Sequence, residues 1–467
     1  MQPGEVALTS TVLERLWRDA GCDADALGSV ELTGREPALP SSFAVGTAAQ
    51  ASIAASALAA AELWRLRSGE RQEVSVDLRA AAIEFRGERY LRVGDGPAVE
   101  FSDTITGLFR CGDGRWVRIH ANFPHHRDGV LALLGCAHDR DAVTRALASW
   151  DALRFEDAAA ERGLVVTAMR TFGQWDAHPQ GAAVAGLPLL TIERIGDARA
   201  LPLRGGTRPL TGVRVLDLTR VIAGPVCGRT LAGHGADVLL VSGPRLPAIA
   251  PLVIETGPGK LSCFLDLRDG ADRATFRALL RDADVMVQGY RPGGLAALGF
   301  GPDDAAQLRP GIIYVSLSAY GHLGPWAGRR GYDSLVQTAT GFNAAEAEAA
   351  GADTPKPLPA QALDRATGHL MAFAVMAALK RRALEGGSWH VRCSLAQTGK
   401  WLRDLGRVAG GLAVPDPTFD DVRDLLETLP SGFGRLTLVR HAASLTRTPF
   451  SWSRPSVPLG SDPPRWP

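Results

Sequence analysis

A carboxylate at the start of a long alanine-rich stretch is the residue best placed to do chemistry in this sequence. Asp364 opens the run from Gln361 to Leu379, in which apolar residues recur at helical spacing. A carboxylate at a helix start can accept hydrogen bonds from free backbone N–H groups and feels the positive end of the helix dipole. Both effects favour the ionised form, which on a rigid helix can act as a nucleophile. Two interpretations stay open from position alone, a plain helix cap and a catalytic group.

The section before this helix must position the carboxylate, and it has an alternating pattern. From Leu210 to Ser318, short Val/Leu/Ile-rich strands such as Val213–Leu218 and Val285–Gln288 alternate with helical segments. This alternation predicts an α/β fold, a Rossmann-like parallel sheet with helices on both faces. Ligands on such sheets bind at the carboxyl ends of strands, so the loops after Leu218, Gln288 and Ser318 are the expected site.

Familiar phosphate and hydrolase motifs are missing from these loops. Gly224 is followed by Pro225 and Gly228, which does not match the dinucleotide-binding pattern G-x-G-x-x-G. The sequence also contains neither G-x-x-x-x-G-K-[ST] nor G-x-S-x-G. A nicotinamide enzyme, a P-loop ATPase and a serine hydrolase are therefore disfavoured.

Composition indicates a soluble enzyme without a global charge field. The 467 residues include 51 Lys and Arg against 50 Asp and Glu, so neither nucleic acid nor an anionic membrane is an expected partner. The six cysteines form no C-x-x-C pair, and no signal peptide or convincing membrane span is visible, which favours the reducing cytoplasm. Any anionic ligand must be held by local cations.

The pattern around Asp364 has an earlier counterpart. A helix over Phe43–Arg67 and a strand over Glu73–Leu78 share the plan of the Asp364 helix and the strand over His390–Leu395. In this register Thr47 stands opposite Asp364, so the first copy would lack the carboxylate. The partial repeat depends on three aligned pairs: Gly69 with Gly386, Val74 with Val391, and Leu78 with Leu395.

Between the two copies, residues 81–200 predict a smaller α+β domain. Two β-prone runs, Thr104–Arg110 and Arg115–His120, flank the hairpin signal Cys-Gly-Asp-Gly. His120, His125 and His126 invite a metal interpretation, but no third ligand stands at helical spacing, so a solvated loop is favoured and no metal is expected.

Several motifs, in one order from Pro209 to Asp364, make the sequence resemble the class III CoA-transferases. This is the CaiB/BaiF family, which includes formyl-CoA transferase, carnitine CoA-transferase and α-methylacyl-CoA racemase. The motifs are Pro209-Leu-Thr-Gly-Val-Arg-Val-Leu-Asp-Leu-Thr, Ala223-Gly-Pro, Leu231-Ala-Gly-His-Gly-Ala-Asp-Val, Gly259-Lys260, Leu265-Asp-Leu, Ala283-Asp-Val-Met-Val-Gln-Gly-Tyr-Arg-Pro-Gly, Ser316-Leu-Ser-Ala-Tyr-Gly-His-Leu-Gly-Pro, Gly331-Tyr-Asp-Ser-Leu-Val-Gln and the Asp364 helix.

The resemblance implies a CoA-transferase that moves CoA between an acyl-CoA thioester and a small carboxylic acid. Asp364 matches the family's nucleophile, which forms a mixed anhydride and then an aspartyl-CoA thioester. CoA is then a substrate, and no further cofactor is expected. Backbone N–H groups at Gly224 or at Gly386–Gly387 are candidate oxyanion donors, although the second pair also suits a plain helix stop.

CoA carries phosphate charges, so the resemblance also implies cations near Asp364. Lys260 and Arg291 lie in motifs that contact CoA in the family, and Arg330 precedes the Gly-Tyr-Asp motif. Arg220, directly after the first strand, could reach the same cleft. The expected CoA-binding set is therefore Lys260, Arg291, Arg330, Tyr332 and Arg220.

Tyr332 separates two branches of the family. The related racemases place a His there as a second base, whereas Tyr, with an intrinsic pKa of about 10, is a poor base near neutral pH. A transferase is therefore favoured over an acyl-CoA racemase or isomerase, and a non-catalytic CoA-binding relative is the third alternative. Ile222 stands where formyl-CoA transferase has Gln, and Ser242 and Gly289 stand where many members have Glu and Asn. These departures indicate either a different substrate choice or a weakened CoA site.

The order of the parts predicts a fused and trimmed tandem. The likeness to the family's small domain precedes the α/β section here, whereas in the family it follows the Asp helix. Family members form interlocked dimers, so we expect a homodimer. The predicted segments are an N-terminal segment with the Ala-rich helix (1–80), the small domain (81–200), the Rossmann-like CoA-binding domain (210–345), and the catalytic helix with a C-terminal return segment (346–467).

Overall fold

The computed structural model describes residues 8–96, 102–203 and 205–467. The chain begins with α1 (Thr9–Asp19), β1 (Val30–Thr33), α2 (Val45–Ser68), β2 (Val74–Asp77), α3 (Leu78–Glu84), α4 (Gly87–Tyr90) and β3 (Arg92–Val93). It continues with β4 (Gly107–Arg110), β5 (Trp116–Ile119), α5 (Pro124–Leu134), α6 (Arg140–Leu147), α7 (Ala152–Glu161), β6 (Val166–Ala168), α8 (Phe172–Asp176), α9 (Pro179–Ala185) and β7 (Leu190–Gly196).

The second half carries the remaining elements. The α/β section contains β8 (Arg214–Leu218), α10 (Ala223–Gly233), β9 (Asp237–Ser242), α11 (Ala250–Thr256), β10 (Lys260–Phe264), α12 (Gly270–Arg281), β11 (Val285–Gln288), α13 (Pro302–Leu308), β12 (Ile313–Ser318), α14 (Asp333–Thr340) and α15 (Phe342–Ala349). The last part contains α16 (Ala362–Glu385), β13 (Ser388–Ser394), α17 (Leu395–Asp404), β14 (Leu426–Leu429), β15 (Leu436–Val439) and β16 (Ala443–Leu445).

The seven-stranded sheet at the centre has the order β10-β9-β8-β11-β12-β13-β7. Its first six strands are parallel, and β7 runs antiparallel to β13 at the edge. Apolar side chains on both faces are buried against helices, as a parallel sheet requires. The predicted α/β fold class is confirmed. Because β8, β11 and β12 are neighbours, their carboxyl-end loops lie side by side.

The strands β4, β5 and β6 form an antiparallel sheet in the region predicted as the small domain. Along β5, Val117 and Ile119 are fully buried in a core formed with α5, α6 and α7. The alternate side chains, Arg118 and His120, therefore belong to the opposite face of the sheet. The contacts of β5 with α14 place this face against the α/β section.

The two parts compared as copies in the sequence have matching geometry. Both α2 and α16 have 24 residues and pack against each other, and each ends at a glycine with positive φ, Gly69 at 77° and Gly386 at 73°. The strand that follows has one parallel and one antiparallel neighbour in both cases, β1-β2-β16 and β12-β13-β7. The helix after that strand is capped by Asp77 in the first copy and by Ser394 in the second. These shared features support the partial repeat, while the four predicted segment boundaries stay predictions.

The segment Ile222–Gly228, whose Gly and Pro residues are typical of a turn, is helical from Ala223 onward. Pro225 is tolerated because it lies in the first turn, where its missing N–H would have no partner within the helix. Within the described ranges, no helix has the length and apolar character needed to cross a membrane.

Candidate active site

Asp364 is the third residue of α16, and a different carboxylate caps that helix. The backbone N–H groups of Leu363 and Asp364 donate to Asp333 Oδ2 at 2.7 and 2.9 Å. Gln361 occupies the N-cap position without a side-chain hydrogen bond to the helix. The interpretation of Asp364 as a plain cap is therefore wrong. Its buried side chain, 7% exposed, is left for another role.

Gln337 holds both Asp333 and the chain that leads into α16. Its side-chain amide donates to Asp333 Oδ1 and, at 3.2 Å, to the carbonyl of Ala360. Its amide oxygen accepts from the N–H of Leu358 at 3.0 Å. Gln337 belongs to α14, so these hydrogen bonds hold the segment before α16 against α14. The position of the Asp364 carboxyl is therefore fixed by residues outside α16.

The two carboxyl groups of this cap repel each other when both are charged. Burial and then the charge of Asp333 raise the pKa of Asp364 well above its usual range, while Arg365 opposes the rise. Burial raises the pKa of Asp333 to about 7, against hydrogen bonds from two N–H groups and Gln337. Since those donors favour the charge on Asp333, the proton of the pair is favoured on Asp364. The direction of this shift is opposite to the ionised form expected from the place of Asp364 at the helix start.

A buried ion-pair network fixes the helix on the other side of Asp364. Arg365 is fully buried and pairs with Glu88 at 2.5 Å and with Glu255 at 3.1 Å. Glu255 also pairs with Arg229 of α10. This network ties α4, α10 and α11 to the first turn of α16. Sequence reasoning missed it, because its members are distant in the chain and their pairing has no local pattern.

Tyr332 connects the carboxyl pair to the predicted cations. Burial raises the pKa of its phenol to about 12; Arg220 and Arg330 are near enough to lower it, and Asp364 to raise it. Arg291 in turn lies close enough to Arg330 for its charge to lower the pKa of that guanidinium. The structure therefore brings Arg220, Arg330 and Asp364 into the neighbourhood of Tyr332, and Arg291 into that of Arg330.

Each of these three arginines is held differently. The guanidinium of Arg220 lies 4.9 Å from the ring centre of Phe123 and donates to the carbonyl of Pro247. Arg330 is exposed and donates to the carbonyl of Gly163 at 2.6 Å, and Arg291 is exposed in the loop after β11. Among the residues the structure describes, no carboxylate forms an ion pair with any of the three. An electropositive edge with free donors suits a polyphosphate ligand.

Lys260 departs from the predicted CoA-binding set. Its ammonium is buried, 2% exposed, and donates at 2.8 Å both to the Asp217 carboxylate and to the carbonyl of Pro225. In this position Lys260 joins β10 to β8 and to the start of α10, a geometry that does not favour contact with a phosphate in solvent. Its role in binding CoA stays a prediction.

Two of the three histidines are not solvated. His120 and His126 are buried, and burial lowers the pKa of each to about 3, whereas His125 is exposed. The His120 ring stacks on Tyr332 with 4.0 Å between ring centres. No group of three His, Cys, Asp or Glu side chains in the described ranges is arranged to hold a metal ion. The rings of His120 and Phe123 both lie beside Tyr332.

The two candidate sets of oxyanion donors have different positions. A Cβ on Gly368, one turn beyond Asp364, would meet the Ala223 carbonyl at 2.7 Å, so the Ala223–Gly224 backbone adjoins the reactive turn. Gly386 and Gly387 lie past the far end of α16, about 33 Å away at 1.5 Å rise per residue. The first set therefore stays a candidate, and the second is a helix stop.

Comparison with known proteins identifies relatives of one kind. The family model described as CoA-transferase family III matches residues 21–208 and 210–405. An acyl-CoA transferase of Gibberella moniliformis is 31% identical over 316 residues, which cover 62% of this chain and 55% of that protein. A probable fatty acyl-CoA transferase of Mycobacterium tuberculosis is 33% identical over 46% of this chain and 59% of that protein. A succinate–glutarate CoA-transferase of Agrobacterium fabrum is 34% identical over 40% of this chain and 51% of its own length.

Among solved structures, a Mycobacterium tuberculosis protein superposes with a TM-score of 0.39 and 34% identity. The aligned part is 42% of this chain and 57% of that one. The chain thus spans about half the length of the curated relatives it matches. Because the family model covers most of the sequence, the chain belongs to the CoA-transferase family III.

Proposed function

We propose that this protein transfers CoA between an acyl-CoA thioester and a carboxylic acid through an aspartyl-CoA thioester at Asp364. The observation that carries the proposal is the Asp364 carboxyl, buried but bonded to no capping group, with Arg220 and Arg330 near its neighbour Tyr332 and Arg291 near Arg330. The relatives described as CoA-transferases support the reaction class.

The first half-reaction begins when Asp364 loses its proton. A carboxylate oxygen then attacks the thioester carbon, the C–S bond breaks, and a mixed anhydride and CoA thiolate result. The thiolate attacks the Asp364 carbonyl carbon and releases the acyl group as a free carboxylate. The enzyme then carries CoA as a thioester on Asp364.

The second half-reaction reverses these steps with another acid. The acceptor carboxylate attacks the Asp364 carbonyl carbon and expels CoA thiolate, which then attacks the acceptor's acyl carbon. The product is a new acyl-CoA, and Asp364 is regenerated. Each tetrahedral oxyanion needs a donor, for which the N–H groups at the start of α10 are the candidates.

The raised pKa of Asp364 gives substrate binding a role in activation. The anionic phosphates of CoA are proposed to bind at Arg220, Arg291 and Arg330, outside the buried pair. Binding energy from the nucleotide end can then offset the cost of ionising Asp364 beside Asp333. Asp333 acts as a positioning group, because its oxygens hold the turn that carries the nucleophile.

An acyl-CoA racemase is the second candidate, and Tyr332 argues against it. A racemase needs two groups that exchange a proton at the α-carbon, but burial raises the pKa of Tyr332 to about 12. Its neighbour His120 is stacked on it, and burial lowers the pKa of that imidazole to about 3.

A cytoplasmic location stays a prediction, as does a homodimer. Within one chain, α2 packs against α16, so the face of α16 that contacts α2 is buried without a second chain.

The test is isotope exchange with a panel of CoA thioesters. Wild-type protein should move labelled CoA into a second acid, and Asp364→Asn should not. The matched control is Asp353→Asn, an exposed residue of the preceding loop, which should retain full activity. Deuterium uptake at the α-carbon without CoA exchange would contradict the proposal and support the racemase. Retained CoA binding with neither reaction would support a non-catalytic relative.

A further inference from the structure

The face of β5 opposite the small-domain core presents two side chains to the α/β section. His120, on this face, stacks on Tyr332 with 4.0 Å between ring centres. Arg118 belongs to the same face by strand alternation. Its charge lies close enough to affect His120 and Asp333. Arg118 therefore lies near Asp333, the capping member of the carboxyl pair.

Arg118 differs from the buried arginines Arg365 and Arg170 in having no ion-pair or hydrogen-bond partner among the described residues. Arg365 pairs with Glu88 and Glu255, and Arg170 forms an ion pair with Glu156 at 2.5 Å. Arg118 is half-buried: its Nε is covered without a hydrogen-bond partner, whereas its two terminal nitrogens are not among the covered atoms. A covered N–H without an acceptor loses hydration without compensation, and the terminal nitrogens stay available to a ligand that supplies acceptors.

Asp333 does not take up these donors. Its Oδ2 accepts from the N–H groups of Leu363 and Asp364, and its Oδ1 accepts from the Gln337 side chain. No hydrogen bond joins Arg118 to Asp333. The guanidinium thus acts on Asp333 only through space, and its planar donor edge is free for a carboxylate, the group it binds best.

We propose that Arg118 binds the carboxylate of the acid that accepts CoA, an inference that rests on the proposed function. The acceptor must approach Asp364 as an anion while Asp333 keeps a negative charge nearby, so a cation is needed where it binds. Arg118 fills that need from the small domain, whereas the CoA phosphates meet Arg220, Arg291 and Arg330 on another side of Tyr332. Donor and acceptor recognition are thereby divided between two parts of the chain.

In this arrangement Arg118 orients the acceptor and takes part in no bond change. One acceptor oxygen forms the bond to the Asp364 carbonyl carbon, the C–S bond breaks, and CoA thiolate leaves with the electron pair. The other acceptor oxygen keeps its hydrogen bond to the guanidinium. When the thiolate attacks the acceptor's acyl carbon, the Asp364 carboxylate departs and the charge returns to the enzyme.

The experiment separates the two half-reactions in the full-length protein. Formation of the aspartyl-CoA species is followed by mass spectrometry with acyl-CoA alone, and steady-state transfer is measured at varied acceptor concentration. Arg118→Gln should raise the KM for the acceptor about 30- to 100-fold, because a charge-assisted hydrogen bond is lost. The first half-reaction should change less than about threefold. Arg118→Lys should recover part of the loss, and the exposed control Arg110→Gln should match wild type.

Two results would overturn the proposal. If Arg118→Gln slows aspartyl-CoA formation as much as it slows transfer, with the acceptor KM unchanged, Arg118 is only a counterion for Asp333. If the acceptor KM and the first half-reaction both stay at wild-type values, Arg118 has no role in the site. The proposed function fails separately, when wild-type protein forms no aspartyl species at all.

Discussion

The first turn of α16 and the first turn of α2 have the same construction but different residues at one position. Each turn is capped by a carboxylate from another segment: Asp333 accepts from the Asp364 N–H at 2.9 Å, and Glu36 accepts from the Thr47 N–H at 2.7 Å. The third helical residue is Asp364 in one and Thr47 in the other, and both are buried. The capping carboxylate is therefore common to both turns, while the second carboxylate is particular to α16.

The difference shows which carboxylate serves structure. A capping acid satisfies N–H groups that would otherwise lack partners, and this need exists in both copies. Asp364 is a second buried acid beside the capping Asp333, which raises the pKa of Asp364 and costs stability. A turn that serves only structure has no use for such a second acid. The residue after Asp364 also differs between the two turns. Arg365 forms ion pairs in α16, whereas α2 has the apolar Ala48 at the equivalent position.

The sheets beside the two turns differ as well. The α16 turn lies beside a seven-stranded sheet whose loops carry Arg220 and Arg291. The sheet beside α2 has three short strands, β1, β2 and β16. Among the residues that the structure describes, the first copy thus has no counterpart of Asp364 or of the loops that carry Arg220 and Arg291.

The largest effect is expected from changing the third helical residue of the α16 turn, with the equivalent change in the α2 turn as the comparison. Asp364→Asn should lower the transfer rate by at least about 1,000-fold, because it removes the nucleophile. Thr47→Val, the equivalent change in α2, should leave the rate within about twofold. A similar loss of activity in the two variants, measured in the same isotope-exchange assay, would contradict the conclusion that only the α16 turn carries the nucleophile.

Removing Arg365 should affect stability next most strongly. Arg365→Met leaves Glu88 and Glu255 buried with less compensating charge, which costs about 3–5 kcal/mol in the free energy of unfolding. Ala48→Leu at the matching position of α2 is a packing change, expected to cost about 1–3 kcal/mol. Urea denaturation followed by circular dichroism measures both. An equal or larger loss for the α2 variant would show that the network does not anchor the α16 turn.

The pH dependence of the first half-reaction sharpens the comparison further. Wild-type Asp364 has a raised pKa, so the rate should rise with pH through a value above the usual carboxyl range. Asp333→Asn keeps an oxygen acceptor for the cap but removes the neighbouring charge. The pKa of Asp364 then falls, and the profile should move about 1–2 pH units toward acid.

The control for this shift is Glu36→Gln in the other turn, which should leave the profile in place. Rapid-quench measurement of aspartyl-CoA between pH 5 and 9 gives both curves. A profile that moves toward alkali in Asp333→Asn would contradict the assignment of the proton to Asp364.

The smallest effect is expected from the electropositive edge of Arg220, Arg291 and Arg330, which has no counterpart beside α2 in the described part of the chain. The double variant Arg291→Gln/Arg330→Gln should raise the KM for acyl-CoA about 10-fold, since two phosphate contacts are lost. With an acyl-pantetheine thioester, which has no nucleotide, the KM should be unchanged. Steady-state kinetics at fixed ionic strength compares the two donors, and an equal rise for both would place the phosphates elsewhere.

The sequence predicted the parts of this molecule that have local patterns. Strand and helix alternation gave the parallel sheet, and the aligned glycines Gly69 and Gly386 gave the paired helices. The position of Asp364 in the first turn of its helix followed from apolar spacing. In these cases the information lies within a few residues of chain.

The errors and omissions all concern long-range pairing. Lys260 was assigned to CoA because it lies in a motif of the resembling family, whereas its ion pair with Asp217, 43 residues away, has no local pattern. Asp333 was read as part of a motif, and its hydrogen bonds to α16 became visible only in the structure. Arg118 had no sequence signal beyond its alternation with buried Val117 and Ile119. Charge pairing across elements depends on tertiary packing, which a single sequence does not display.

The most direct test of the central claim is trapping of the covalent intermediate with hydroxylamine, followed by peptide mass mapping. After incubation with acyl-CoA, the account predicts one hydroxamate per chain, located on Asp364, with Asp333 and Glu36 unmodified. A hydroxamate on either capping acid, or none on a protein that still exchanges CoA, would contradict it.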